Sequence, residues 1–145
     1  MMSNLAEFKF SVPIEVRFSD LDGMVHVNNA VYLTYFEEAR NAYWRRLRGG
    51  NSLRDLDFIL ARAECDFRSP AMFGEMLDVY IRVGEMKNSS FTFEYEIVER
   101  ETKRAVASGR SVQVLYDYPE QRAKQIPGDL RNAVAAFEGR EFKRG

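Results

Sequence analysis

The sequence predicts an α+β fold: one long helix wrapped by a curved antiparallel sheet of about five strands. Three observations carry that expectation. Tyr32, Tyr35, Phe36, Ala39, Tyr43 and Leu47 recur at spacings of three and four, the apolar stripe of a single long helix. From Ile59 to Tyr116 the chain alternates apolar and polar residues in consecutive runs separated by turn residues, the pattern of half-buried strands. The helix precedes these runs and does not alternate with them, which separates α+β from βαβ repetition.

Taken in order, residues 1–7 read as a loose tail. Phe8, Phe10, Val12, Ile14, Val16 and Phe18 then alternate with Lys9, Ser11, Glu15 and Arg17 as a first strand. Pro13 has no N–H to donate, so this strand belongs at an edge or a bend. Ser19-Asp20-Leu21-Asp22-Gly23 breaks the alternation as a polar turn. Asn28 and Asn29 supply capping acceptors, and the helix is expected over about 29–48. Glu37 and Glu38 lie early in it and Arg45, Arg46 and Arg48 late, the arrangement the helix dipole favours. Gly49-Gly50 offers a left-handed stop, and a polar connector runs on to Asp57.

Beyond the connector, Ile59, Ala61, Ala63, Cys65 and Phe67 alternate with Leu60, Arg62, Glu64, Asp66 and Arg68 as a half-buried strand. Further strands are expected over about 77–83, 91–97 and 104–116. Ser69-Pro70 and Phe73-Gly74, then Lys87-Asn88-Ser89, then Glu101 to Lys103 turn the chain between them. Pro119, Pro127 and Gly128 frame a basic loop, and Asp129 is placed to cap a short C-terminal helix carrying Leu130, Val134 and Phe137. The 145 residues read as one domain, with 119–145 as its basic loop and short helix.

Composition narrows the function. A net charge of −1 offers no broad basic surface for nucleic acid or an anionic membrane. No apolar run approaches the roughly 18–20 residues of a membrane span. The N-terminal MMSNLAEFKF lacks an apolar core of signal-peptide length, so a cytoplasmic protein is expected. A single Cys65 excludes an intrachain disulfide, and one cysteine with one histidine gives no zinc ligand set. Neither a metal nor a cofactor is expected. There is no G-x-S-x-G elbow, and His26 with Cys65 is thin material for a nucleophile triad. What remains is a carboxylate just ahead of a helix N-terminus. The carboxylate is able to act as base or nucleophile while free backbone N–H groups hold a developing anion. On residue chemistry alone, Asp20 and Asp22 as simple turn caps fit equally well.

The string V-R-F-S-D-L-D-G-M-V-H-V-N-N-A-V-Y, followed by F-E-E-A-R and later by F-R-S-P-A-M-F-G-E, closely resembles the hot-dog-fold acyl-CoA thioesterases of the 4-hydroxybenzoyl-CoA thioesterase type. The resemblance covers about residues 10–118. It implies a hot-dog fold, a homodimer or homotetramer whose sheets join edge to edge, and active sites at the subunit interface. It implies hydrolysis of an acyl-CoA thioester to a carboxylic acid and CoA, with CoA as part of the substrate. Asp22 takes the place of the carboxylate that acts as general base or nucleophile, and Asp20 braces the turn. The region of Asn29 holds the oxyanion, and His26 lines the site. Ser90 and Lys87 occupy the turn that contacts CoA, near thioester and phosphate respectively. Arg122 and Lys124 are further phosphate candidates, as exposed cations suit that group. Tyr32 is a candidate for the acyl wall.

One departure concerns the turn. Many members of that family carry glycine immediately before the histidine, where this chain has Val25, a β-branched residue with few open backbone conformations. The same apparatus would serve a thioester on an acyl carrier protein, and the same fold without turnover would make a non-catalytic acyl-CoA sensor.

Overall fold

A computed structural model describes residues 5–49 and 57–143. Its organising element is helix α1, Asn29–Arg48. Asn28 begins it from an extended backbone, its side-chain oxygen accepting the Ala30 N–H at 3.0 Å. Gly49 ends it at φ 76°, where its N–H returns to the Arg45 carbonyl. Gly50 and most of the expected connector lie outside the described residues.

The strands are β1 (Phe10–Glu15), β2 (Phe58–Phe67), β3 (Met76–Met86), β4 (Ser90–Glu99), β5 (Ala105–Asp117) and the two-residue β6 (Arg122–Ala123). A second helix, α2, covers Gly128–Glu138. The five long strands pair antiparallel in the order β1-β3-β4-β5-β2, and β6 pairs with the end of β5. The sheet curls around α1, as in the hot-dog fold. Pro13 sits on β1, an edge strand of this order, where its missing N–H interrupts only one ladder. Of the expected loose tail, residues 1–4 lie outside the description. Leu5–Glu7 forms a 3-10 turn, with Glu7 2.6 Å from Arg82.

Tyr32, Tyr35, Phe36, Ala39 and Tyr43 bury one face of α1 against Leu77, Val79, Ile81 and Val83 of β3 and Phe91, Phe93, Tyr95 and Ile97 of β4. The Phe36 ring stacks on Tyr95 with centroids 4.2 Å apart. Gly109 of β5 makes that approach possible, since a Cβ there would lie 2.4 Å from Phe36 ring atoms. Among the described residues no helix is long and apolar enough to cross a membrane.

Two expectations are corrected. The register of β2 against β5 slips between Leu60 and Arg62, leaving Ala61 as a bulge. Leu60 therefore pairs with buried Gln113, and Ala63 with buried Ser111, on the helix-facing side of the sheet. Simple alternation had grouped Ile59 with Ala63; the extra residue moves Ile59 to the charged face. Asp129 does not cap α2 either. Pro127 holds the cap position without a side-chain bond, and the Asp129 carboxylate lies in the first turn, 3.7 Å from Arg48.

Candidate active site

The polar turn between β1 and α1 folds back on itself. Leu21 bridges Val27, the Asp22 N–H donates to the His26 carbonyl at 2.8 Å, and the Val25 N–H donates to the Asp22 carbonyl at 3.1 Å. These bonds direct two further N–H groups at one oxygen. Asp22 Oδ1 accepts from Met24 at 2.8 Å and from His26 at 3.3 Å. Among the described residues Asp22 Oδ2 has no partner, and the side chain is exposed. The carboxylate is thus fixed by one oxygen and open at the other.

Val25 makes this geometry at a cost. Its φ is 65°, in the left-handed region that glycine enters freely and a β-branched residue does not. Its side chain is 59% exposed, so burial does not explain the conformation. The hydrogen bonds around Asp22 hold it there.

Asp20 has a different task. It is only 2% exposed, and both its oxygens are used. Oδ2 accepts the Arg17 N–H at 3.0 Å and the Tyr35 hydroxyl at 2.8 Å, while Oδ1 accepts Arg17 Nη2 at 3.1 Å. Burial pushes the Asp20 carboxyl up, but the Arg17 N–H, the Tyr35 hydroxyl and the Arg17 guanidinium outweigh it and hold the group below its ordinary range. Burial, then the bond to Asp20, keeps the Tyr35 hydroxyl protonated far above neutrality. The Asp20 carbonyl also accepts the Asn28 N–H at 2.9 Å, so the same residue ties the turn to the start of α1.

A cleft of about 290 Å³ opens beside Asp22, lined by His26, Val27, Asn29, Tyr32 and the segment Phe67 to Pro70. The Asn29 N–H, in the first turn of α1, has no acceptor among the described residues. Tyr32 is buried, its ring edge-on to Phe67 at 5.2 Å, and its hydroxyl accepts the Ala71 N–H at 3.1 Å. Burial raises the Tyr32 hydroxyl above its usual range, so it stays neutral. The structure thus brings together Asp22, His26, Asn29 and Tyr32.

It places the other expected residues elsewhere. Lys87 and Ser90 sit at the β3–β4 turn, where Lys87 N–H donates to the Ser90 carbonyl at 2.7 Å. Arg122 is exposed in β6, and Lys124 Nζ lies 3.2 Å from Asp57. The segment 86–90 is joined to 115–126 by the Leu115–Ser89 and Ile126–Asn88 backbone bonds, so these cations gather at one end of the sheet. The Asp22 turn meets the other end, at Met72. Strand β3 separates the two over its 11 residues, about 30 Å at the usual strand rise.

The opposite wall of the cleft, Arg68, Ser69 and Pro70, was not picked out as functional from sequence, although the F-R-S-P string contains it. Arg104 pins that wall, donating to Ser69 Oγ at 3.0 Å, to the Pro70 carbonyl at 3.1 Å and to both Glu75 oxygens. Its distance in sequence hid it. Cys65 is half-buried, and burial pushes its thiol up to about 11, far from a reactive thiolate. Among the described residues no group of His, Cys, Asp and Glu is disposed to hold a metal ion.

Residues 16–134 match the model of a family described as the thioesterase-like superfamily. YsmA of Bacillus subtilis, described as uncharacterized, is 32% identical over 61% of this chain, and the match spans 60% of that relative's length. The long-chain acyl-CoA thioesterase FadM of Escherichia coli is 28% identical over 83% of this chain and 93% of its own. A Thermus thermophilus thioesterase solved with coenzyme A and zinc superposes with a TM-score of 0.83 at 33% identity, covering 94% of this chain and 98% of that one.

Proposed function

We propose, for a chain that belongs to the thioesterase-like superfamily and acts as an acyl-CoA thioesterase, that Asp22 directs attack on the thioester carbonyl. The observation that carries this reading is the asymmetry of the Asp22 carboxylate. One oxygen is held by two backbone N–H groups, the other has no partner among the described residues, and the residue lines a cleft that also holds Asn29 at a helix N-terminus.

In that cleft Oδ2 takes a proton from water as the water oxygen adds to the carbonyl carbon, or adds to that carbon itself. The negative charge formed on the carbonyl oxygen is received by the Asn29 N–H at the positive end of α1. The C–S bond then breaks and the CoA sulfur takes a proton. On the base route that proton is the one Asp22 drew from water, and the free acid leaves directly. On the nucleophile route an acyl anhydride is left on Asp22, which a water molecule hydrolyses to the acid and the restored carboxylate. His26 and Tyr32 shape the wall around the acyl group, and His26 also contributes the second N–H on Asp22 Oδ1.

The site is incomplete in one chain. Lys87, Ser90, Arg122 and Lys124 suit the phosphates and pantetheine of CoA but lie about 30 Å from Asp22 along β3. Edge strand β2 has the Asp22 cleft at its Phe67 end and the Ser90 region at its Phe58 end, through Phe58–Leu115 and Ser90–Val114 pairing. A second copy added antiparallel along β2 reverses that direction. Its Lys87 end then comes beside the Asp22 end of the first. The active unit is therefore at least a homodimer.

The test is thiol release from short, long and aromatic acyl-CoA esters, with an acyl carrier protein thioester of matched acyl group alongside. The expected result is turnover of CoA esters with a clear acyl preference. Binding of every ester without thiol release would contradict the reading and make the protein a sensor. Turnover of the carrier-protein ester alone would reassign the substrate.

A further inference from the structure

Arg40 of α1 is the one cation buried among the described residues, only 6% exposed. A buried charge is destabilising unless a counter-charge and hydrogen bonds offset it. The buried aspartates Asp20 and Asp78 are offset by Arg17 and Arg100. Arg40 makes no ion pair among the described residues. Its one side-chain partner there is the Tyr95 hydroxyl, 3.1 Å from Nη1. Tyr95 is no counter-charge, because burial holds its hydroxyl above the ordinary range. The Tyr95 hydroxyl donates to Ser111 Oγ at 2.5 Å, Ser111 to Gln113 Oε1, and the Gln113 amide to the Phe91 carbonyl at 3.2 Å. This chain of neutral groups ends on the backbone and leaves the Arg40 charge unanswered. Nε and Nη2 form the edge of a guanidinium that meets a carboxylate with two parallel bonds. In Arg40 both lack an acceptor among the described residues, and neither is sealed from solvent.

An open trough leads from the Asp22 cleft to Arg40. Ala63 pairs with Ser111 and Cys65 with Gly109, so both point toward α1. The helix packs on β3 and β4 and leaves that face of β2 uncovered. Ala63 is exposed, Cys65 is half-buried, and Phe67 is 51% exposed. The trough starts at Tyr32 and Phe67, which also line the Asp22 cleft. It runs past Cys65 to Ala63, which lies beside Ser111 and so beside Tyr95 and Arg40. An acyl chain suits apolar walls of this kind, but a methyl end would leave the buried guanidinium without a counter-charge. A carboxylate end supplies one. Arg40 follows Asn29 by 11 residues of α1, about 16 Å at the helical rise. An extended chain advances about 1.2 Å per bond, so about 12–14 carbons span that distance.

We infer that the acyl trough of this chain ends on Arg40 and selects acyl groups with a carboxylate at the far end, held by the free Nε–Nη2 edge. The inference rests on the reading that Asp22 cleaves the thioester, and it names the class of acyl group presented to it.

The test compares CoA mono-esters of α,ω-dicarboxylic acids with matched monocarboxylic esters, over about 8–16 carbons. Wild type is expected to favour the diacid ester about tenfold or more in kcat/KM, with the optimum at about 12–14 carbons. Arg40→Met keeps the length of the side chain and removes its charge. It is expected to lose about a hundredfold on the diacid ester, while the monoacid ester changes far less. Arg40→Lys keeps the charge without the two-bond edge and falls between the two. Equal use of both esters by wild type, or equal loss on both in Arg40→Met, would overturn the inference and leave Arg40 a structural cation. Weaker self-association of Arg40→Met with an unchanged ester preference would overturn it in favour of a counter-charge on a second copy. Calorimetry with free tetradecanedioate separates this inference from the catalytic one. Tetradecanedioate bound by wild type but not by Arg40→Met, without thiol release from any ester, sinks the Asp22 reading alone. Thiol release with neither diacid preference nor tetradecanedioate binding sinks this inference alone.

Discussion

Two aspartates two residues apart do different work because their surroundings differ. Asp20 is buried and saturated by Arg17 and Tyr35, whereas Asp22 is exposed and held by one oxygen only. The D-x-D string was legible in the sequence, and so was the oddity of Val25. The left-handed backbone at Val25 was not, because φ there follows from the bonds between Asp22, Met24 and His26 and not from local propensity. Val25→Gly removes side-chain strain of about 1–3 kcal/mol and adds backbone entropy of about 0.5–1 kcal/mol to the unfolded state. A net gain of about 1 kcal/mol, a rise of about 3 °C in Tm, is expected in thermal unfolding. An unchanged or lower Tm would show that the turn relieves the strain in another way.

At the scale of elements, α1 was readable nearly to the residue because its signals are local: Asn28 at one end, Gly49 at the other and an aromatic stripe between. Strand β2 was readable as a strand but not in its facing. A single bulged residue, Ala61, leaves no mark on composition, yet it exchanges the faces of Ile59 and Leu60. The pairing of Gly109 with Phe36 was equally hidden, since it joins a helix to a strand 73 positions away. Gly109→Ala forces a methyl within 2.4 Å of the Phe36 ring and 2.9 Å of the Glu64 carbonyl. The expected loss is about 1–3 kcal/mol, seen as a lower denaturant midpoint with little change in slope. An unaltered midpoint would mean that α1 can lift from the sheet without penalty.

At the scale of the molecule, the residues proposed to act on the thioester and to hold CoA lie at the two ends of a sheet about 30 Å long. Sequence pointed to both ends, but their separation within one chain became visible only once β3 was laid out between them. If the ends meet across two copies, defects at the two ends complement. Asp22→Asn in one chain and Lys87→Ala with Ser90→Ala in the other would each give poor enzyme, while random mixing of the two restores about a quarter of wild-type turnover. Activity no higher than the mean of the two parents would place both ends of the substrate on one chain.

The central claim is that the free oxygen of Asp22 drives thioester cleavage, and Asp22→Asn tests it most directly. Asparagine keeps the size of the side chain and an oxygen for the Met24 and His26 N–H groups, but it removes the charge. With folding checked by thermal unfolding, kcat for the preferred acyl-CoA ester is expected to fall about a hundredfold or more. A kcat within about twofold of wild type would contradict the account and move the attacking group away from Asp22.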